Sequence, residues 1–326
     1  MNRLTLLLIV ALVAVLALAV LLGETPLTAQ QIVQAFRDPA SPPGEVLWAI
    51  RAPRVATAAV VGAGLGLAGA AMQGLLRNPL ADPAVLGVSA SSGLGAALAI
   101  ALGLAAVPGA IEGSALLGAL VSGVIVVALA ARLREPEALI LFGVALSAFA
   151  GALTALIFNL SPSPVSLTEV MSWLLGSAEN RDWADVGRTL IPMAVGAALC
   201  GYAGRGLTML TLGEETAAMS GLPMAQLRTA AVAGASLLSG AAVAAAGVIG
   251  FVGLAAPHLV RRGVGDDPQA VLAPSAIAGA LLLTLADLAS RMLPTEQELK
   301  LGVVTALFGA PVFALVAWRA ARSWRT

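Results

Sequence analysis

Residues 4 to 22 read LTLLLIVALVAVLALAVLL, nineteen uncharged residues behind a single Arg3. A helix rising about 1.5 Å per residue needs roughly that length to cross a hydrocarbon layer about 30 Å thick. A cleaved secretory leader would have a shorter apolar centre and a small-x-small site after it, and neither is present here. The stretch is therefore expected to stay on the chain as a spanning helix, and its character recurs along the sequence. Apolar runs follow at about 55–76, 88–107, 113–131, 138–160, 187–207, 229–248, 270–290 and 301–320, with a shorter one at 250–260.

Together these predict an all-α polytopic membrane protein with ten transmembrane helices, residues 1–326 forming one transmembrane domain. The totals agree: 59% of residues are hydrophobic, only 11% are charged, and the mean hydropathy is +0.94. A soluble domain carries about a quarter charged residues. With the N-terminus inside, ten crossings return the C-terminus inside. Eleven of the 18 basic residues then lie on the inner side, as the positive-inside rule asks. The acids divide the other way, seven inside and eleven outside.

The spans are built for close approach. Gly62, Gly66, Ala70 and Gly74 recur every four residues along the second, and Ser89, Gly93 and Ala97 repeat the pattern in the third. Small residues at that spacing let helix backbones meet in lipid, and ordinary packing within the chain is the plain reading of each stripe.

Several chemistries are excluded. The single Cys200 permits no disulfide within the chain, and the single His258 rules out a cluster of zinc ligands or a His-dependent triad. Lys300, the one lysine, follows no glycine-rich phosphate loop, so ATP, if used, binds to another chain. No span has an ionisable residue near its centre, and Asp287 comes closest, near the end of its run. Ion-coupled transporters and polytopic enzymes place costly polar groups there, which leaves a secondary transporter as a remote alternative. No catalytic residue, metal ligand or bound cofactor is expected.

Four motifs stand out. R-A-P-R at 51–54 sets two arginines around Pro53 on the side expected to be poor in basic residues. N-P-L-A-D-P-A-V-L-G at 78–87 is a connection stiffened by two prolines. G-F-V-G-L-A-A-P-H-L-V-R-R at 250–262 puts a proline inside a short span, which argues for burial in the bundle, with His258 as a packed, hydrogen-bonded side chain. A-D-L-A-S-R at 286–291 precedes E-L-K-L-G-V-V-T-A-L-F-G-A-P-V-F at 298–313 and places Arg291 outside.

In this order and spacing, from about Arg51 to Phe313, the motifs resemble the permease subunits of bacterial ABC importers for iron-siderophore complexes, haem and cobalamin. The likeness is greatest to the cobalamin and haem-type permeases, which have the type II importer architecture. It implies a homodimer in the bacterial inner membrane, both termini cytoplasmic, working with two ATPase subunits that bind ATP and Mg, a periplasmic substrate-binding protein and membrane lipid. Nucleic acid is not an expected partner. The implied activity is inward movement of a bulky metal chelate, iron-siderophore or haem, by alternating access, with cobalamin as the alternative cargo. Arg51, Arg54 and Arg291 match positions that receive acidic residues of the binding protein, and Asn78 and Leu80 match the cytoplasmic gate. Two departures occur: Lys300 stands where the family has Pro, and the charged R-E-P-E at 134–137 replaces small hydroxyl residues.

Between two apolar runs lies LGEETAAMSGLPMAQLR, residues 212–228. Thr211 and Glu214 have capping-box spacing, Gly221 suits the end of one short helix and Pro223 the first turn of another. The segment 208–228 resembles the family's paired coupling helices, which sit in a groove of the ATPase. That implies contact through Glu214, Glu215, Thr216, Ala218, Met219, Gly221, Leu222 and Pro223. On the opposite side, S-L-T-E-V-M-S-W-L-L-G at 166–176 reads as a surface helix opened by a Ser166–Glu169 capping box, with Trp173 and Trp183 at headgroup level.

Overall fold

The computed structural model describes residues 2–130, 132, 136–160, 164–293 and 298–323, and every described element is helical. α1 (Arg3–Leu21) is the opening apolar run. Two short helices come after it that the sequence pattern does not predict. α2 (Ala29–Arg37) starts at a reciprocal capping box between Thr28 and Gln31, and α3 (Pro42–Glu45) starts under Ser41, whose hydroxyl accepts from the Gly44 N–H. α3 runs through a π turn, Val46–Arg51, into α4 (Ala52–Leu75).

α5 (Val88–Ala101), α6 (Ala110–Ala130), α7 (Pro136–Leu160) and α8 (Pro164–Leu174) come next. The chain continues through α9 (Trp183–Leu210), α10 (Glu214–Met219), α11 (Met224–Ala246), α12 (Val252–Val264), α13 (Pro268–Met292) and α14 (Leu301–Ser323). Among the described residues seven helical segments are long and apolar enough to cross a membrane, and α5 and the Leu301–Pro311 part of α14 are shorter apolar helices.

α4 and α11 form the interior, wrapped by α5, α6, α9, α12 and α13. The glycine stripe explains why α4 can be central. A Cβ at Gly62 would overlap the carbonyl oxygen of Gly279, and one at Gly66 would overlap that of Ser275, so α4 and α13 touch backbone to backbone. Gly95 and Gly118 bring α5 and α6 together in the same way, against the carbonyls of Ser114 and Ser91. The α4 stripe is thus a seam within the chain, whereas the α5–α6 seam runs through Gly95 rather than through Ser89, Gly93 and Ala97.

The chain between α11 and α12 is not helical. Gly247 ends α11 at φ +71° and Phe251 opens α12 at φ +67°, so the bundle holds five residues of irregular backbone. Such backbone is tolerated at membrane depth only where protein surrounds it. The Ser177 N–H donates to the Ala246 carbonyl at 2.8 Å, and the Gly247 position lies against the Trp173 carbonyl. Pro257 is buried within α12, as the motif predicts.

Local expectations change in three places. Thr211 does not cap α10; it ends α9, its hydroxyl donating to the Thr208 carbonyl, and Gly213 precedes α10 with no side-chain cap. The paired short helices become one, because Pro223 is the residue before α11 and the chain beyond it is already the long helix. α8 begins at Pro164, and the Ser166 side chain lies outside the described residues, as do Arg134 and Glu135 and the side chain of Glu137.

Candidate functional sites at the two ends of the bundle

One end of the bundle carries the arginines. All three are buried and engaged within the chain. Arg54 Nε donates to Asp287 Oδ1 at 2.8 Å, and its two terminal nitrogens grip Glu298, with Nη1 to Oε2 at 2.9 Å. Arg291 pairs with Asp287 Oδ2 at 3.1 Å and donates to the carbonyls of Leu22 and Ala19. Arg51 donates to the carbonyls of Leu21 and Thr25. Two guanidinium groups therefore cap the last turn of α1, where unpaired carbonyls and the helix dipole favour positive charge. Asp287 has no exposed surface and sits between Arg54 and Arg291.

Register explains the pairing. α4 and α13 are antiparallel, with Gly66 opposite Ser275, Gly62 opposite Gly279 and Arg54 opposite Asp287. The sequence alone does not join Arg54 to Asp287, because they are 233 residues apart. Outside the spans, burial pushes the Glu298 carboxyl up, but the Arg54 guanidinium, the Ser290 hydroxyl and Arg291 outweigh it and hold the group below its ordinary range.

Residues 298–302 form a strap across this end. Glu298 holds Arg54, Lys300 reaches Glu179 at 3.4 Å, and the N–H groups of Leu301 and Gly302 donate to the carbonyls of Gly176 and Leu175 behind α8, both at 2.9 Å. Trp173 is half-buried and packs against Ala96, Ala115 and Ala244. Trp183 is more than half exposed and donates from Nε1 to the Trp48 carbonyl.

The other end carries the connections. In the 78–87 stretch the Asn78 side chain accepts from the Leu80 N–H at 2.9 Å, and Asp82 accepts from Ala84 N–H at 2.8 Å ahead of a single 3-10 turn, Pro83–Leu86. Both are local turns that Asn and Asp side chains favour, and they leave Asn78 and Leu80 exposed. Burial pushes the Asp82 carboxyl above its ordinary range, partly offset by the Ala84 bond. Leu80 and His258 line one apolar cavity of about 390 Å³ with Phe251, Leu285 and Phe308. His258 is half-buried and makes no hydrogen bond among the described residues.

Next to it, α10 stands off as a six-residue helix. Ala217 is its one buried side chain, whereas Leu212 and Met219 are 69% and 82% exposed. Glu214 forms an ion pair with Arg228, which ties α10 to the first turns of α11, and Gly221 turns the chain at φ +82°. Glu215, Thr216, Ala218, Gly221 and Pro223 are exposed, and Leu222 is half-buried. The expected contact residues thus lie on one projecting hairpin.

The sequence matches the model of the FecCD transport family over residues 8–319. The chain belongs to the FecCD family. It is 40% identical over 287 residues to the uncharacterized ABC transporter permease protein YvrB of Bacillus subtilis (strain 168), covering 86% of this chain and 81% of YvrB. It is also 40% identical over 286 residues to the vitamin B12 import system permease protein BtuC of Escherichia coli O157:H7, covering 86% of each. A solved structure described as an inward-facing conformation of a metal-chelate type ABC transporter superposes with a TM-score of 0.87 at 31% identity, covering 97% of this chain and 98% of that one. FecCD membership makes the chain a multi-pass membrane permease, and the arginine cluster, the 78–87 loop and the α10 hairpin are the features of this member.

Proposed function

We propose that the chain is the permease subunit of an ABC importer that moves a bulky metal chelate into the cell. The observation that carries the reading is the α10 hairpin: exposed Met219 on a short helix and exposed Leu212 just before it, held by Glu214–Arg228, at the end of a bundle of FecCD sequence. A soluble-style knob of this kind calls for a protein groove. Ten crossings from α1, α4–α7, α9 and α11–α14 are the count that fits, with both termini and α10 in the cytoplasm and the arginine end outside. The chain works as a homodimer with two separate ATPase subunits that bind ATP and Mg, and does not itself hydrolyse ATP. Residues 208–228 transmit closure of the ATPase pair, and Asn78 and Leu80 close the inner end of the pathway.

A substrate-binding protein docks at the arginine end. Because Arg51 and Arg291 are committed to α1 and Asp287, the exchangeable partner is Glu298, which a carboxylate of the docking protein displaces from Arg54. The 40% identity to BtuC supports cobalamin as cargo as much as the family supports an iron chelate. Co-expression with a candidate ATP-binding cassette ATPase subunit tests the reading. The expected result is a stable complex with vanadate-sensitive ATP hydrolysis and uptake that needs the binding protein. A chain that transports alone, driven by an ion gradient, would end it.

A further inference from the structure

α2 takes no part in the sites described above. At 3.6 residues per turn Ala29, Ile32, Val33 and Phe36 share one face, and Gln30, Gln31 and Gln34 lie on the opposite one. Nine residues rise about 13 Å, too little to cross a hydrocarbon layer about 30 Å thick. Only the edge of the apolar face is used within the chain: Ala35 is buried and Ile32 half-buried. Ala29, Val33 and Phe36 are exposed, as are the three glutamines.

Hydrogen bonds and a ring contact fix the level at which α2 lies. Arg51 donates to the carbonyls of Leu21, the last residue of α1, and of Thr25 in the link to α2. Trp48, in the π turn ahead of α4, donates from Nε1 to the Ala35 carbonyl at 3.1 Å, one of the last-turn carbonyls that α2 leaves unpaired. The Phe36 ring meets the Trp48 ring edge-on, with centroids 5.3 Å apart and planes at 89°. The Trp48 carbonyl accepts in turn from Trp183, the first residue of α9. α2 therefore sits at the depth where α1, α4 and α9 meet the membrane surface. Leu18 and Leu22 on and after the last turn of α1, Ile50 ahead of α4, and Trp183 are exposed as well. The free apolar face of α2 thus lies among span ends whose outward sides lipid covers, at the level that aromatic rings favour.

Charge says what kind of surface this is. Residues 22–50 carry one base, Arg37, against Glu24, Asp38 and Glu45, so attraction to anionic headgroups is not what holds the segment. Arg37 is exposed, has no ion pair among the described residues, and stands at the border of the two faces, where a long side chain reaches the phosphate level. From this we infer that α2 is an interfacial anchor: its Ala29–Val33–Phe36 face lies in the acyl boundary of the leaflet at the arginine end, and its glutamines face water. Its partner is a lipid surface, zwitterionic or anionic alike. Because Arg51 holds both Leu21 and Thr25, the anchor sets the depth of the arginine cluster relative to the bilayer surface. This goes beyond the importer reading and needs only a chain that spans the membrane.

The test is spin labelling of the full chain in phosphatidylcholine vesicles. Cys200 is buried, so an introduced cysteine takes the label. Labels at Val33→Cys and Phe36→Cys are expected to be several-fold more accessible to oxygen, which partitions into acyl chains, than to a water-soluble nickel chelate. Labels at Gln30→Cys and Gln34→Cys are expected to show the reverse, and phosphatidylglycerol in the vesicles should change neither. Ala29→Cys reports on the same face with the Phe36–Trp48 contact intact, should loss of the ring loosen α2. Equal nickel access on both faces would place α2 in water and overturn the anchor. So would exclusion of both reagents at Val33 and Ala29, which marks a protein surface such as a second copy of the chain, or immersion seen only with phosphatidylglycerol.

Discussion

Asp287 is the residue on which the arginine end depends. Asp287→Asn removes the one fully buried counter-charge from two buried guanidinium groups, a change that costs about 3–5 kcal/mol in comparable sites. The expected outcome is a clear fall in thermal unfolding temperature in detergent, with Asp287→Glu keeping part of the stability. Glu298→Gln weakens the internal competitor for Arg54 without emptying the cluster, so the binding protein is expected to dock more tightly, checked by surface binding to the reconstituted complex. Unchanged or weaker docking would count against exchange at Arg54. At this scale the sequence showed which residue types matter but not their partners. R-A-P-R and A-D-L-A-S-R are both conspicuous, yet the carboxylate that joins them becomes visible only once the α4–α13 register is known.

Elements were legible to different degrees. Long apolar runs and glycine spacing located most spans within a few residues, because lipid-length hydrophobicity and small-residue seams are written locally. α2 and α3 escape notice although Thr28–Gln31 is a capping box, since the segment is too polar and short to register beside spans. The Thr211–Glu214 box misleads because α9 runs on to claim Thr211. Gly62→Ala forces a methyl into the Gly279 carbonyl and is expected to cost about 1–3 kcal/mol through separation of α4 from α13. Its measure is the unfolding temperature against a control such as Gly201→Ala, where a Cβ meets nothing within 4 Å. The strap responds to acid. Glu298 has a depressed pKa in the folded chain, so its bond to Arg54 contributes fully above the unfolded carboxylate value and is lost as pH falls through the folded one. Amide hydrogen exchange at residues 298–302 is expected to quicken on acidification below the ordinary carboxylate range, after correction for intrinsic rates. Ala218→Pro breaks α10 while leaving the spans intact, and is expected to uncouple ATP hydrolysis from uptake in proteoliposomes.

On the scale of the whole molecule, one end is ionic and internally paired, and the other presents an apolar knob and a proline-stiffened loop. Contacts at the two ends should therefore answer salt differently. On the proposed reading, docking of the binding protein is expected to weaken between low and physiological ionic strength, whereas ATPase association through the exposed Met219 and Leu212 is expected to change little; titrating both complexes with salt checks this. The arginine caps on α1 also bear on how the chain is made. Arg291 lies 269 residues after Leu22 and 272 after Ala19, whose carbonyls it holds. α1 thus gains one of its caps from Arg51, 30 residues after Leu21, and the other only when α13 arrives. Until α13 packs, the end of α1 is held by Arg51 alone of the two caps, and a chain truncated before Arg291 would leave α1 less firmly fixed to the bundle.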